Sequence, residues 1–212
     1  MISNRPKSCW PSPQQSLLLH AALLPTEKAY DAFKLWRLTQ SIPEIEPVDY
    51  QFLPLVYKKI SPIMNSQEDK NRLRGIYKHN WTHNQARLQA FFTLFMQLPE
   101  HLQAQCLMMK GSAMILTGCY DVGARVIGDI DILVKKKYGL EMTHFFLQNG
   151  FKLFAPFLKD ETLSSQWIEN KHAIVLTKDY GAFSLMIDMH FSPLMQIPSS
   201  IFHEFRTFIK MH

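Results

Sequence analysis

Gly128-Asp129-Ile130-Asp131-Ile132-Leu133-Val134 is the stretch that decides how this chain is read. Two aspartates stand two residues apart inside a run of β-branched and aliphatic residues. Alternate side chains of a strand share a face, so Asp129 and Asp131 are expected to project together, with Ile130, Ile132 and Val134 on the other side. Strands are depleted in aspartate, and two on one face need a reason. At neutral pH the carboxylates repel, and one tends to take up a proton unless a cation neutralises them. A hard divalent cation such as Mg²⁺, held by one or two carboxylates and by substrate phosphates, resolves the conflict. The pair therefore points to metal-assisted phosphoryl or nucleotidyl transfer. The plainer alternative is an edge strand turning a polar face to water.

Composition sets the bounds around that stretch. The 212 residues suffice for one large domain or two small ones with a real core. Hydrophobic residues at 47% and charged residues at 19% argue against global disorder. A net charge of +5 suits a phosphate-bearing ligand or nucleic acid, although the charge is spread along the chain. Lys135-Lys136-Lys137 is the one tight basic run, and it reads as a solvated strand end before it reads as a nucleic-acid patch. Cys9, Cys106 and Cys119 show no CxxC spacing, so a zinc site or disulfide scaffold is not indicated and a cytoplasmic location is expected. Leu17 to Leu24, interrupted by His20 and preceded by Pro11 and Pro13, makes a poor signal-peptide core and is expected to form a short amphipathic helix. No stretch has the apolar length of a membrane span, and no membrane partner is expected.

The first hundred residues read as helical. Ala29, Phe33, Trp36 and Arg37 recur at helical spacing after Thr26, and a second apolar face follows in Phe52, Leu55, Val56 and Ile60, with Pro54 in its first turn. The clearest helix runs from about Gln67 to Leu98. Leu73, Tyr77, Trp81, Asn84, Leu88, Phe91, Phe95 and Leu98 mark its stripe, and Pro99 closes it. Beyond Pro99 the pattern changes. Cys106 to Met109 reads as a short buried strand, Gly111-Ser112 as a turn into a helix starting at Ala113, and Tyr120 to Gly123 as a turn before the aspartate strand. Tyr138 to Gln148 has helical spacing and stops at Asn149-Gly150. Phe151 to Phe154, His172 to Leu176 and Phe183 to Asp188 read as strands, the last two joined as a hairpin through Tyr180-Gly181. The order predicts a mixed sheet with flanking helices, hence an α+β fold, with a helical region over 1–100 and a catalytic domain over 101–212.

Three features join the aspartates. Lys110-Gly111-Ser112 puts exposed N–H groups at a strand-to-helix turn, which favours an anionic phosphate. Arg125 can clamp phosphate oxygens bidentately, or it can pair with Asp121 or Glu141. Asp188-Met189-His190 ends a predicted strand and supplies a third carboxylate if that strand lies beside the first.

Lys110-Gly111-Ser112, Tyr120 to Gly123, Arg125, Asp129 to Val134 and Ile187 to His190, in this order, resemble a poorly characterised bacterial nucleotidyltransferase family of the DNA polymerase β superfamily. The resemblance covers roughly residues 105–192, and Phe52 to Tyr57 also looks like the region preceding the motif in such proteins. It implies a polymerase β-like mixed sheet and transfer of an NMP from an NTP, such as ATP, to an acceptor hydroxyl with release of pyrophosphate. Asp129, Asp131 and Asp188 would be catalytic and would ligate Mg²⁺ or Mn²⁺, with Asp188 alternatively the base that deprotonates the acceptor. Gly111 and Ser112 would hold the β- and γ-phosphates. Lys110 and Arg125 would add positive charge against the triphosphate, and His190 would bond the third carboxylate or touch the nucleotide. The acceptor is left open between a small molecule, a protein and RNA. Two other functions compete: a non-catalytic, antitoxin-like or regulatory binding protein that kept the fold, and a phosphohydrolase or nuclease using the same carboxylates. There is no P-loop and no HExxH sequence.

Overall fold

Ser12 opens the helical leader. Its hydroxyl accepts from the Gln15 N–H while the Gln15 side chain bonds back to the Ser12 N–H, a capping box that starts helix α1 (Pro13–Leu23). The structure, a computed structural model, describes residues 10–154 and 163–192. The expected half-apolar tail Phe205 to His212, together with Cys9, lies outside the described residues. Chain contacts define two units, Met1–Leu88 with Met114–Ile127 and Gln89–Ala113 with Gly128–His212.

In the first unit, α2 (Thr26–Arg37) buries Ala29, Ala32, Phe33 and Trp36. A four-residue helix, α3 (Pro47–Tyr50), leads to α4 (Leu53–Ile60), which buries Leu53, Pro54, Val56 and Ile60 and carries Pro54 in its first turn. These side chains form one core with Leu18, Ala21, Ala22 and Leu73. The structure departs from expectation in α1, which is apolar on more than one side. Leu18, Ala21 and Ala22 face the core, whereas Leu23 is 68% exposed.

Helix α5 (Gln67–Phe95) confirms the long helix but shifts its stripe. Trp81 is exposed, and Asn80 takes the buried position. The reason is the neighbour: this part of the helix faces backbone carbonyls of the segment after Tyr120, and buried carbonyls need donors, not an indole face. Asn80 Nδ2 donates to the Gly123 carbonyl at 2.8 Å. Asn84, fully buried, donates to the carbonyls of Val122 and Arg125 at 2.6 Å each and accepts from the Ile127 N–H at 3.2 Å. Arg87 donates to the Ile127 carbonyl at 2.7 Å. Gly123 is required where it stands, since a Cβ there would lie 2.5 Å from the Tyr77 ring.

Asp121 ties the same segment at its start. It accepts from the Tyr77 hydroxyl at 2.5 Å, the Lys58 ammonium at 3.0 Å and the Gly123 N–H at 2.9 Å. Burial pushes the Asp121 carboxyl up, but these three donors outweigh it and hold it below its ordinary 3.8. Burial, together with the hydrogen bond to Asp121, pushes the Tyr77 phenol up to about 12, so it remains a donor throughout the neutral range. A depressed carboxylate stabilises the fold above its ordinary pKa, and that stability is lost as pH falls through the depressed value. Tyr77→Phe is therefore expected to move the acid limb of the stability curve to higher pH and to cost about 1–2 kcal/mol near neutrality. Denaturant titrations at a series of pH values measure both.

The second unit is built on a five-stranded sheet in the order β1-β2-β5-β4-β3. Its strands are β1 (Cys106–Met108), β2 (Ile130–Val134), β3 (Lys152–Leu153), β4 (Ala173–Asp179) and β5 (Ser184–His190). β2 and β5 run parallel, and the other neighbours run antiparallel, so the sheet is mixed as expected. β4 and β5 are the predicted hairpin, turned by Gly181 at a φ of +81°. The helices of this part are α6 (Glu100–Gln103), α7 (Lys110–Leu116), α8 (Gly139–Gln148) and α9 (Ser165–Glu169), the last not foreseen from the sequence because it is five residues long. The fold is α+β, a mixed sheet with flanking helices and further helices N-terminal to it. Alternation on β5 buries Leu185, Ile187 and Met189 and leaves Asp188 and His190 on the opposite face. Among the described residues no helix is long and apolar enough to cross a membrane.

Candidate active site

β2 is central enough for its polar face to be covered as well. Asp131 is only 4% exposed, between Ile130 and Ile132 on the fully buried face. The parallel register sets Asp131 opposite Asp188 and Leu133 opposite His190. Neighbouring strands lie about 5 Å apart, so this register puts the two carboxylates side by side, far apart though they are in sequence.

His190 lies between them. Its Nε2 is 2.9 Å from Asp188 Oδ2 and 3.1 Å from Asp131 Oδ1. Lys110 reaches the same place from the end of β1, its Nζ 2.5 Å from Asp131 Oδ1 and 3.3 Å from His190 Nε2. The hydrogen bond that it donates to Asp131 holds the Lys110 ammonium above its ordinary pKa. Burial raises the Asp188 carboxyl and the Asp131 charge adds to this, while His190 and Lys110 pull the other way; the net direction is upward. Asp188 Oδ1 is the one buried side-chain oxygen or nitrogen without a hydrogen-bond partner among the described residues.

Asp131, Asp188 and His190 each offer a ligand atom, all within 4.8 Å of one another. Two carboxylates, one of them with an unpartnered oxygen, and one imidazole form a donor set that fits a divalent cation. The fit has a plain physical basis, since two buried carboxylates side by side need positive charge, and Lys110 and His190 supply part of it here.

Asp129 lies just outside β2, in the bend before Ile130, and is half-buried. Its carboxylate is not among the three close donors, although its charge acts on both Lys110 and Asp188. Gly111 and Ser112 are in the first turn of α7, which begins at Lys110 and not at Ala113. Ser112 is buried, and its hydroxyl donates to the Met109 carbonyl at 3.0 Å, capping the strand-to-helix turn. Arg125 belongs to the first unit and pairs with neither expected carboxylate. Asp121 is held by Tyr77 and Lys58, and Glu141 pairs with His101 at 2.9 Å. Cys106 is no nucleophile, because burial pushes its thiol up to about 11.

Lys110 is the only described non-glycine residue with a positive φ, at 50°. That left-handed backbone aims the side chain back at Asp131 and costs an L-residue about 1 kcal/mol or more. Both Lys110→Gly and Lys110→Ala lose the ammonium. The glycine variant is expected to be the more stable by about 1 kcal/mol, as read by urea denaturation. Equal stability would mean that the strained backbone is not a property of the protein in solution.

His190 at the centre of the carboxylates was legible as a residue but not as a bridge, because only the strand register shows what it reaches. The Asn80 and Asn84 clamps were missed. Their signal was present in the sequence as asparagines on an otherwise apolar helical stripe.

No curated protein matches the chain, and no solved structure matches it. Residues 50–208 match the family model described as "Uncharacterised nucleotidyltransferase", most of the chain's length, and the chain belongs to that family.

Proposed function

We propose that this protein transfers an NMP from an NTP to an acceptor hydroxyl and releases pyrophosphate. The observation that carries the reading is the parallel register of Asp131 with Asp188, which joins two carboxylates and His190 in one group beside Lys110. Asp131 and Asp188 would hold Mg²⁺ or Mn²⁺, with Asp129 completing the set from the N-terminal end of β2. Bound there, the ion would polarise the attacked phosphorus and neutralise the leaving pyrophosphate.

The chain's own groups do the rest by position and charge. Gly111 and Ser112 offer N–H groups of the first turn of α7 to the β- and γ-phosphates. The Lys110 ammonium can exchange its Asp131 partner for a phosphate oxygen once another cation neutralises Asp131. Alternatively, Asp188 would act not as a metal ligand but as the base that deprotonates the acceptor hydroxyl.

Incubation with labelled ATP, CTP, GTP and UTP, with cell lysate as the source of acceptor, tests the reading. Expected is pyrophosphate release with a labelled acceptor, only with Mg²⁺ or Mn²⁺ and lost on adding EDTA or in Asp129→Ala. Free phosphate or cleaved nucleic acid would reassign the same carboxylates to hydrolysis. Absence of Mg–NTP binding by calorimetry would favour a non-catalytic binding protein.

A further inference from the structure

Unit one contains a cavity of about 330 Å³ that the proposed chemistry does not use, bordered by Leu19, Leu23, Phe52, Leu55, Tyr120 and Arg125. Three observations bear on it. First, α1 has an apolar side that the core does not cover. Leu19 and Leu23, one helical turn apart, line the cavity, while Leu18, Ala21 and Ala22 face or border the core. A helix that is apolar beyond its core stripe is normally covered by something. Second, the segment forming the opposite wall is fixed in place. Tyr77 and Lys58 hold Asp121, Asn80 holds the Gly123 carbonyl, Asn84 holds three backbone groups, and Arg87 holds the Ile127 carbonyl. Third, this rigid segment displays a guanidinium that has no carboxylate partner among the described residues. Arg125 lies over the Tyr120 ring at 5.8 Å, and the two carboxylates expected to pair with it, Asp121 and Glu141, are engaged elsewhere.

We propose that this cavity binds a small organic acid carrying one negative charge, its apolar body against Leu19, Leu23, Phe52 and Leu55 and its anionic group on Arg125. The charge count selects the class. Among the described residues one arginine is the only cation lining the cavity, which matches one carboxylate or monoester, whereas a triphosphate needs several cations. Apolar walls with a few polar groups are the ordinary make-up of a small-molecule site, and Gln51 adds a neutral hydrogen-bonding group to the lining. A rigid wall keeps the ordering cost of binding low. The site is independent of the nucleotidyl-transfer reading and stands whether or not the carboxylate cluster is active.

The test is fluorescence titration of the full chain with 2-naphthoate, and with 2-naphthylmethanol as its uncharged counterpart. Wild-type protein is expected to bind naphthoate saturably with Kd below about 1 mM. Arg125→Gln is expected to weaken naphthoate about tenfold or more, with naphthylmethanol changed by less than about twofold. Leu23→Glu, at an exposed lining position, adds a negative charge and should weaken naphthoate more than naphthylmethanol. Circular dichroism confirms that each variant is folded. Equal naphthoate affinity in wild type and Arg125→Gln overturns the proposal, and so does the absence of saturable binding. Competitive displacement of naphthoate by Mg–ATP also overturns it, since the occupant would then be the nucleotide itself.

Discussion

Asp131→Asn is expected to lower metal-dependent NTP turnover about a thousandfold or more, equivalent to about 4 kcal/mol of transition-state stabilisation. Asp131 is the residue on which the cluster converges. It is nearly fully buried, and one of its oxygens contacts both the Lys110 ammonium and His190 Nε2. The amide keeps the size and one acceptor oxygen but removes the charge. A cation held by Asp188 and Asp129 would face two carboxylates instead of three. The loss should also appear without any turnover, as weaker Mn²⁺ binding measured by electron paramagnetic resonance. Stability is expected to change far less than activity, because neutralising one of two adjacent carboxylates relieves repulsion while it removes the Lys110 ion pair. Turnover and Mn²⁺ affinity at the wild-type level would show that Asp131 is a structural partner of Lys110 and nothing more.

Asn84→Leu should be the most destabilising exchange outside the carboxylate cluster, at about 3–4 kcal/mol. Leucine fills much the same volume, so the cost is not a cavity. It comes from leaving two partly buried carbonyls and one buried N–H, those of Val122, Arg125 and Ile127, without their partner. Each such orphan costs about 1–3 kcal/mol, partly recovered as the segment relaxes. Urea denaturation should show a lower midpoint with an unchanged slope. Trp81→Ala supplies the contrast. Trp81 lies on the expected apolar stripe yet is exposed, and its loss should change stability by about 0.5 kcal/mol or less. A large loss at Trp81 with little effect at Asn84 would mean that the helix is rotated from the orientation described.

The two expectations differ in how far they were legible. The aspartate strand, the hairpin turned at Gly181, the long helix from Gln67 and the mixed-sheet α+β class all follow from local pattern, because side-chain period and turn chemistry are local properties. The exchange of Trp81 for Asn80 at one buried position of that helix was not legible. Hydrophobicity favours Trp81 for the buried position, and nothing near it in sequence shows that the facing surface is backbone carbonyl. Arg125 had the same difficulty. Asp121 and Glu141 were reasonable partners until Tyr77, Lys58 and His101 were seen to hold them.

By itself the sequence determined that Asp131 and Asp188 each sit on a strand and that a lysine-glycine-serine turn precedes them. Only the tertiary structure decided that the two strands run parallel in a register placing Asp131 against Asp188, with His190 and Lys110 between and beside them. The reason is physical. Period and propensity fix which face of its own strand a side chain occupies. Which strand lies beside it, and in what register, depends on burying Ile130, Ile132, Leu185, Ile187 and Met189 together, a requirement set by residues remote in sequence.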